Sequence, residues 1–523
     1  MRVIARMLAA AAVAGLTLGA SAAPRHVDLL IHGGTVFTGS DAPFTGDVAI
    51  DGDHIVAVGP HLALPATRTI DAHGMIVAPG FIDPHTHMGN DLASPDPQRR
   101  LIPMFLMQGV TTAFIGNDGG GAIDVSKVLD SARTRPVGIN YATYTGFGSI
   151  RSAVVGEARR DPTPEELARM KALVAQAMCQ GALGFSTGLF YAPQSFSKTG
   201  EVVALSAEAA RFGGYYDSHI RDESSYTVGL MAAIDEAIEI ARDAHIPVHI
   251  SHIKALGVDV QGKAPEVIAR IDAARAAGLD ITASQYPWSA SGTSLVASLV
   301  PLWAQDGGRA ALLKRFDDPS LAARLRADIV ENMRKRGGAD SLLIVEGKYR
   351  NQRLDAVAKA MGVDPVAAAI AVIRIADPGV VSFNQSEADI ADFMRQPWVM
   401  TDSDASPGHP RVYGTFARKY AKYVVADHVL TLREFIERSS SLTADWFHLA
   451  GRGHLRAGAF ADVVIFDPKS YASRATYEAP TLYAAGVRTV LVNGVLAVDN
   501  GKLTGRAAGR ALPHAPTPGA CPA

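Results

Sequence analysis

The sequence predicts an α/β chain built as a TIM-like (β/α)8 barrel, with a small β-sandwich formed by both chain ends and an inserted lid segment. Three observations predict it. Apolar β-like runs alternate with helix-like stretches through the middle of the chain, as in a parallel sheet wound with helices. Short β-like pieces separated by Gly, Asn and Asp turns open the chain and return near its end. One stretch, about 291–354, is longer and more charged than a connecting loop. At 523 residues, 48% hydrophobic and 20% charged, the chain has material for one large domain and a smaller one.

Taken in order, "MRVIARMLAAAAVAGLTLGASAAPRHVD" places Arg2 and Arg6 before an apolar run and ends it in small residues, the pattern of a secretory signal peptide over 1–22. The run is shorter than the roughly 20 apolar residues of a membrane span, and no cysteine follows to carry a lipid. The mature protein is therefore expected to be periplasmic or secreted. The pieces "DLLIHGGTVFTG", "GDVAIDGDHIVAVGP" and "TRTIDAHGMIVAPG" give the N-terminal part of the sandwich, 23–80, and "GAFADVVIFDP" with "VRTVLVNGVLAVDNGKLTG" the C-terminal part, 451–523. Between them, 81–450 carries the barrel, with β-like runs "GVTTAFIG", "GINYATYTGFG", "GALGFSTGLFY", "GGYYDSHIRDES", "IPVHISHIKALG", "LDITASQYPW", "VVSFNQSE" and "PWVMTDSDAS". Among its helices, "TPEELARMKALVAQAMCQG" has Thr163 as N-cap, Pro164 at N1, Glu166 at N3 and a stop before Gly181.

Loss of Arg2 and Arg6 takes the formal net charge from −2 to −4, and no later stretch clusters Lys and Arg as nucleic acid or an acidic lipid surface would require. The expected partner is a small molecule, with no membrane contact after signal removal. Only Cys179 and Cys521 are present, so neither a disulfide framework nor thiol chemistry is expected.

In "GFIDPHTHMGND", His85 and His87 follow Phe81-Ile82 at strand periodicity, so both rings project to one side. Two histidines at that spacing also occur in packed strands, but further metal-capable side chains stand at predicted strand ends: Asp118, His219, His252 and Asp404. Four imidazoles and two carboxylates suit Zn²⁺, one or two ions, with other divalent metals compatible. His249 reads as a packed residue.

These motifs carry a resemblance. "PGFIDPHTH" resembles the first metal motif of the amidohydrolase superfamily. "ALGFSTGLFY", "SHIRDES", "ISHIKALG", "YPWSASGTSL", "PLWAQDGG" and "GHPRVYGTFAR", with the closing "GHLRAGAFADVVIFDP", look like the N-acyl-D-amino-acid deacylases, or D-aminoacylases. The resemblance covers nearly all of the mature chain. It implies hydrolysis of an N-acyl bond with one or two zinc ions. Within it, His85 and His87 match the pair on the more exposed metal, and His219 and His252 the pair on the tighter one. Asp404 matches the catalytic aspartate, and Lys254, Tyr286 and Arg411 match substrate-orienting positions. Asp118 stands where the family has a bridging cysteine, and no lysine offers the carboxylated bridge of other amidohydrolases. Ala405 replaces the usual Gly, leaving Asp402 a rival for Asp404.

The chemistry follows from the residue types. A metal polarises an amide carbonyl and activates water, and an aspartate moves the proton to the amine that leaves. Arg411 and Lys254 in one crevice call for a substrate with a free carboxylate. The alternatives are a dipeptidase, a D-aminopeptidase-like enzyme or a lactonase, and, outside catalysis, a periplasmic metal- or solute-binding protein. An acid/base aspartate beside a metal favours the enzyme.

Overall fold

Eight short parallel strands carry the loops that matter for function, in a computed structural model that describes residues 26–522. The signal peptide expected over 1–22 lies outside the described residues. The strands are β1 (Phe81–Asp83), β2 (Val110–Ile115), β3 (Asn140–Thr143), β4 (Gly184–Gly188), β5 (Tyr215–His219), β6 (Val248–Ile250), β7 (Ile281–Gln285) and β8 (Val399–Thr401). Strands β1, β2 and β3 pair in parallel as one arc, and β4 to β8 pair in parallel in sequence order as another. The arcs approach each other at both ends. Two residues past β3, Thr145–Gly146 pairs with Phe185 and Ser186 of β4, and the Leu183 N–H donates to Thr143. Past β8, the Asp404 N–H donates to the His85 carbonyl at 3.0 Å, and Thr86 bridges Ala405.

Every residue of these strands is buried, as in a sheet covered on both faces, polar ones such as Ser186, Asp217 and Thr282 included. Helices pack outside them. Pro164–Cys179 starts as its sequence predicts, with Thr163 and Glu166 forming a reciprocal capping box. Met170, Val174 and Ala177 of that helix are buried in the core shared with Phe185 and Tyr216. Among the described residues no single helix is long and apolar enough to cross a membrane.

Both chain ends meet in one nine-stranded sheet. Ile76–Pro79 pairs antiparallel with Val463–Phe466, joining strands from the start of the chain to strands from its end.

Two expectations need correction. The run "VVSFNQSE" is not a ninth strand of the parallel system. Its strand Gly379–Phe383 pairs antiparallel with Ala290–Ser294 and with Leu342–Ile344, in a separate four-stranded sheet. The insert therefore extends past 354 to about 383, and encloses its own core around Leu299, Ile329, Leu354 and Ile373. An isolated apolar run reads alike in either sheet, because only its partners differ. The second correction concerns the cysteines. Cys179, at the end of its helix, and Cys521 form a disulfide across 342 residues of sequence. That pairing depends on where the tail runs, which the sequence does not express.

Candidate metal centre

The site stands where the strands end. After β1, Pro84 leads into His85 and His87, and Thr86 between them donates through Oγ1 to the Phe114 carbonyl at 2.6 Å. Asn117 fastens the neighbouring loops. Its Nδ2 donates to the Pro84 carbonyl at 3.1 Å and to Asp217 Oδ2 at 3.0 Å, while its Oδ1 accepts from the Thr86 N–H.

Asp118 occupies the centre. Its Oδ1 is 3.4 Å from His85 Nε2 and 3.6 Å from His252 Nε2, and its Oδ2 is 3.5 Å from His87 Nε2 and 3.8 Å from His219 Nδ1. One carboxylate thus touches all four predicted imidazoles, the arrangement a bridge between two ions needs. Asp404 closes the front, with Oδ1 3.2 Å from His87 Nε2 and Oδ2 2.8 Å from the Arg411 guanidinium. His219 Nδ1 and His252 Nε2 lie 3.0 Å apart. Three residues of this set, Asp118, His252 and Asp404, have positive φ, at 55°, 38° and 43°. Side-chain-bearing residues held in that region cost on the order of 1–3 kcal/mol each and concentrate at functional sites.

The donors fit a metal. Three triads have ligand atoms within 4.8 Å of one another: His85, His87 and Asp404; His85, Asp118 and His252; His219, Glu223 and His252. Both ring nitrogens of the fully buried His85, and Asp118 Oδ1, have no hydrogen-bond partner. Buried polar atoms left so call for a cation in their midst.

Electrostatics separate the carboxyl groups. Burial alone would raise Asp118, but His85, His252 and His219 outweigh it and hold the group well below the usual carboxylate range. Asp404 is likewise held low, against burial, by Arg411 and His252. Asp402 behaves oppositely: burial pushes it up to about 6. It is fully buried, neither of its oxygens has a partner, and it stands outside the cavity that Asp404 lines.

That cavity holds about 460 Å³ and is lined by His87, Asp118, His219, His252, Lys254, Tyr286, Asp404 and Arg411 among others. The structure thus brings together the predicted ligands and substrate-orienting residues, except that His85 sits just behind the wall. Lys254 Nζ donates to Glu223 Oε1 at 2.6 Å, and the Tyr286 ring lies beneath Arg411, 4.7 Å from ring centre to guanidinium carbon. Tyr286 Oη accepts from Gln385 at 3.0 Å. His249 is packed against Trp446 and Phe447 and bonds Thr282, away from the cavity.

Glu223 was not read from the sequence. It lies 3.2 Å from His252 Nδ1, and its position four residues after His219 was the available signal. His409 was also missed: its Nδ1 accepts the Arg411 N–H at 3.0 Å and fixes the start of the helix that bears the guanidinium.

The central placing of Asp118 gives an expected outcome. Asp118→Cys, which keeps a bridging donor, should retain metal and much of the activity, whereas Asp118→Ala should lose metal, as elemental analysis of the purified proteins would read. An Asp118→Ala protein with parental metal content and turnover would remove Asp118 from the ligand set.

Residues 68–498 match the profile of the Amidohydrolase family. A D-aminoacylase of Alcaligenes xylosoxydans xylosoxydans is 34% identical over 513 residues, covering 93% of this chain and 97% of the relative. A solved D-aminoacylase, studied for its binuclear metal centre, superposes with a TM-score of 0.80 at 31% identity, covering 93% of this chain and 100% of that one. The N-acyl-D-glutamate deacylase of Bordetella bronchiseptica, solved with zinc and a phosphonate mimic of the tetrahedral intermediate, gives 0.79 at 29% identity, covering 94% and 100%. With candidate metal ligands gathered at strand ends and relatives aligned along nearly its whole length, the chain belongs to the amidohydrolase family, among its N-acyl-D-amino-acid deacylases.

Proposed function

We propose that this chain is a metal-dependent hydrolase that cleaves the N-acyl amide bond of N-acyl-D-amino acids to a carboxylate and a free D-amino acid. The observation that carries the reading is a carboxylate touching four imidazoles, in a cavity that Asp404, paired with Arg411, also lines. His85, His87, Asp118 and Asp404 would hold one ion, and His219, His252 and Asp118 a second. Zn²⁺ suits this nitrogen and oxygen set, and when bound it polarises an amide carbonyl and lowers the pKa of water to about 7.

The chain's own residues do the rest. Asp404 takes the proton of the attacking water and returns it to the amide nitrogen as the amine leaves. Arg411 fixes Asp404 Oδ2, leaving Oδ1 toward His87 and the cavity for that proton. Lys254, Tyr286 and Arg411 present donors to the substrate's free carboxylate. The D-configuration is taken from the relatives' activities.

The same reading covers the architecture and location. We take the two strand arcs as one (β/α)8 barrel, on the support of the Asp404–His85 and Thr145–Phe185 contacts. The terminal sheet folds over as a sandwich, a reading supported by Ile55 and Leu491, from strands far apart in the sheet, sharing one apolar cluster. The mature protein is periplasmic or secreted; the N-terminal pattern supports this, and the Cys179–Cys521 bond suits an oxidising compartment.

The test is a panel of N-acetyl-D- and N-acetyl-L-amino acids and mixed-chirality dipeptides, assayed with Zn²⁺. Free D-amino acid is expected from the D-series; cleavage of the dipeptides alone would replace this reading with a dipeptidase, and cleavage of the L-series alone would overturn the D-configuration.

A further inference from the structure

Three cationic side chains line the metal cavity, and two of them are matched. Lys254 is ion-paired with Glu223, and Arg411 with Asp404. Arg336, the third, has no carboxylate partner among the described residues. It follows the helix Ala322–Lys335 of the insert and is only 2% exposed. Its guanidinium donates from Nη1 to the buried Ser382 Oγ at 3.3 Å, and its Nε has no partner. The guanidinium lies 5.3 Å from the Tyr226 ring centre, and the buried Tyr226 hydroxyl is also unpartnered. Two carboxylates of the same cavity, Glu346 and Asp377, accept backbone N–H groups of the insert instead, from Gly379 and Val296.

A buried guanidinium without a counter-charge is costly unless an anion completes it, and its planar fork matches a carboxylate. We propose that Arg336 receives a second substrate carboxylate, distinct from the α-carboxylate assigned to Arg411, so that the preferred substrates are dicarboxylic. This rests on the deacylase reading of the site. The second carboxylate has two chemical sources: an acidic amino-acid side chain, or an acyl group that itself ends in a carboxylate. Arg336 belongs to the insert rather than to the strands that carry the metal ligands, so selectivity and chemistry lie on separate parts of the chain.

The experiment compares the zinc-loaded parent, Arg336→Met and Arg336→Lys on N-acetyl-D-glutamate, N-acetyl-D-aspartate, N-succinyl-D-leucine and N-acetyl-D-leucine. The parent should favour at least one dicarboxylate over N-acetyl-D-leucine. Arg336→Met should lower kcat/KM for that substrate by about 100-fold, chiefly through KM, and change N-acetyl-D-leucine by less than about threefold. Arg336→Lys should recover part of the loss. A loss confined to the glutamate and aspartate substrates identifies the side chain as the source, and one confined to the succinyl substrate identifies the acyl group. Equal losses on all four substrates, or a parent with no dicarboxylate preference, would overturn the proposal. If the parent cleaves none of them, the deacylase reading fails, and calorimetric titration of glutarate against butyrate still decides on Arg336. Glutarate binding that Arg336→Met abolishes sustains it, and equal binding by parent and variant rejects it.

Discussion

Replacing His252 with alanine should strip the protein of bound metal and lower kcat/KM by on the order of 1000-fold or more, because the metal supplies several kcal/mol of charge stabilisation in the transition state. His252 belongs to two of the three triads able to hold a cation, and its Nε2 stands 3.6 Å from the central Asp118. His219→Ala should act in the same direction on the same ion, since His219 and His252 share a triad with Glu223. The control is His249→Ala. That histidine lies three residues before His252 and is equally buried, but it packs on Trp446 and Phe447 and bonds Thr282, so its loss should lower thermal stability and leave metal content intact. Elemental analysis and turnover of the three variants check this. Metal-free protein that keeps parental activity would refute the metal-dependent reading outright.

The contrast between His249 and His252 also shows what a sequence can express. Strand ends were legible because apolar runs stop at Pro84, Gly116 and Pro287, and a metal-binding side chain beyond such a stop falls at the mouth of a barrel. His249 lies within its strand and His252 beyond it, so their positions separated them before any contact was known. Glu223 escaped because it acts through space. It leaves the strand end by a loop and returns to His252 Nδ1 and Lys254, a path set by Asp222 accepting the Ser224, Thr227 and Gly229 N–H groups. Arg336 escaped for a similar reason: in the charged stretch "ENMRKRG" it looks like its solvated neighbours, and only the docking of the insert buries it. The end of the insert was misplaced because antiparallel pairing between residues about 90 apart leaves no local trace.

Asp404→Asn should keep metal at the His219, His252 and Asp118 positions yet reduce kcat by about 10²–10⁴-fold, the usual worth of a positioned general acid or base. The substitution preserves shape and leaves an oxygen for Arg411 to bond, but an amide can neither accept the water's proton nor pass it to the leaving nitrogen. Its neighbour two residues earlier makes the comparison sharp. Strand alternation puts Asp402 and Asp404 on the same side, so the sequence could not choose between them. Backbone geometry does. Asp404 has turned into the left-handed region at φ 43°, where its N–H bonds the His85 carbonyl and its carboxylate faces His87 and Arg411 in the cavity. Asp402, fully buried, stands near Asp83, whose carboxyl is held above the usual carboxylate range by burial and by the charge of Asp402, and it lines no part of the cavity. Asp402→Asn should therefore change kcat by less than about tenfold, as a substitution that touches neither substrate nor metal. The measurement is kcat together with metal content for both variants. If Asp402→Asn is the inactive protein and Asp404→Asn still turns over, the proton carrier has been assigned to the wrong aspartate, while the metal centre and the reaction class would stand.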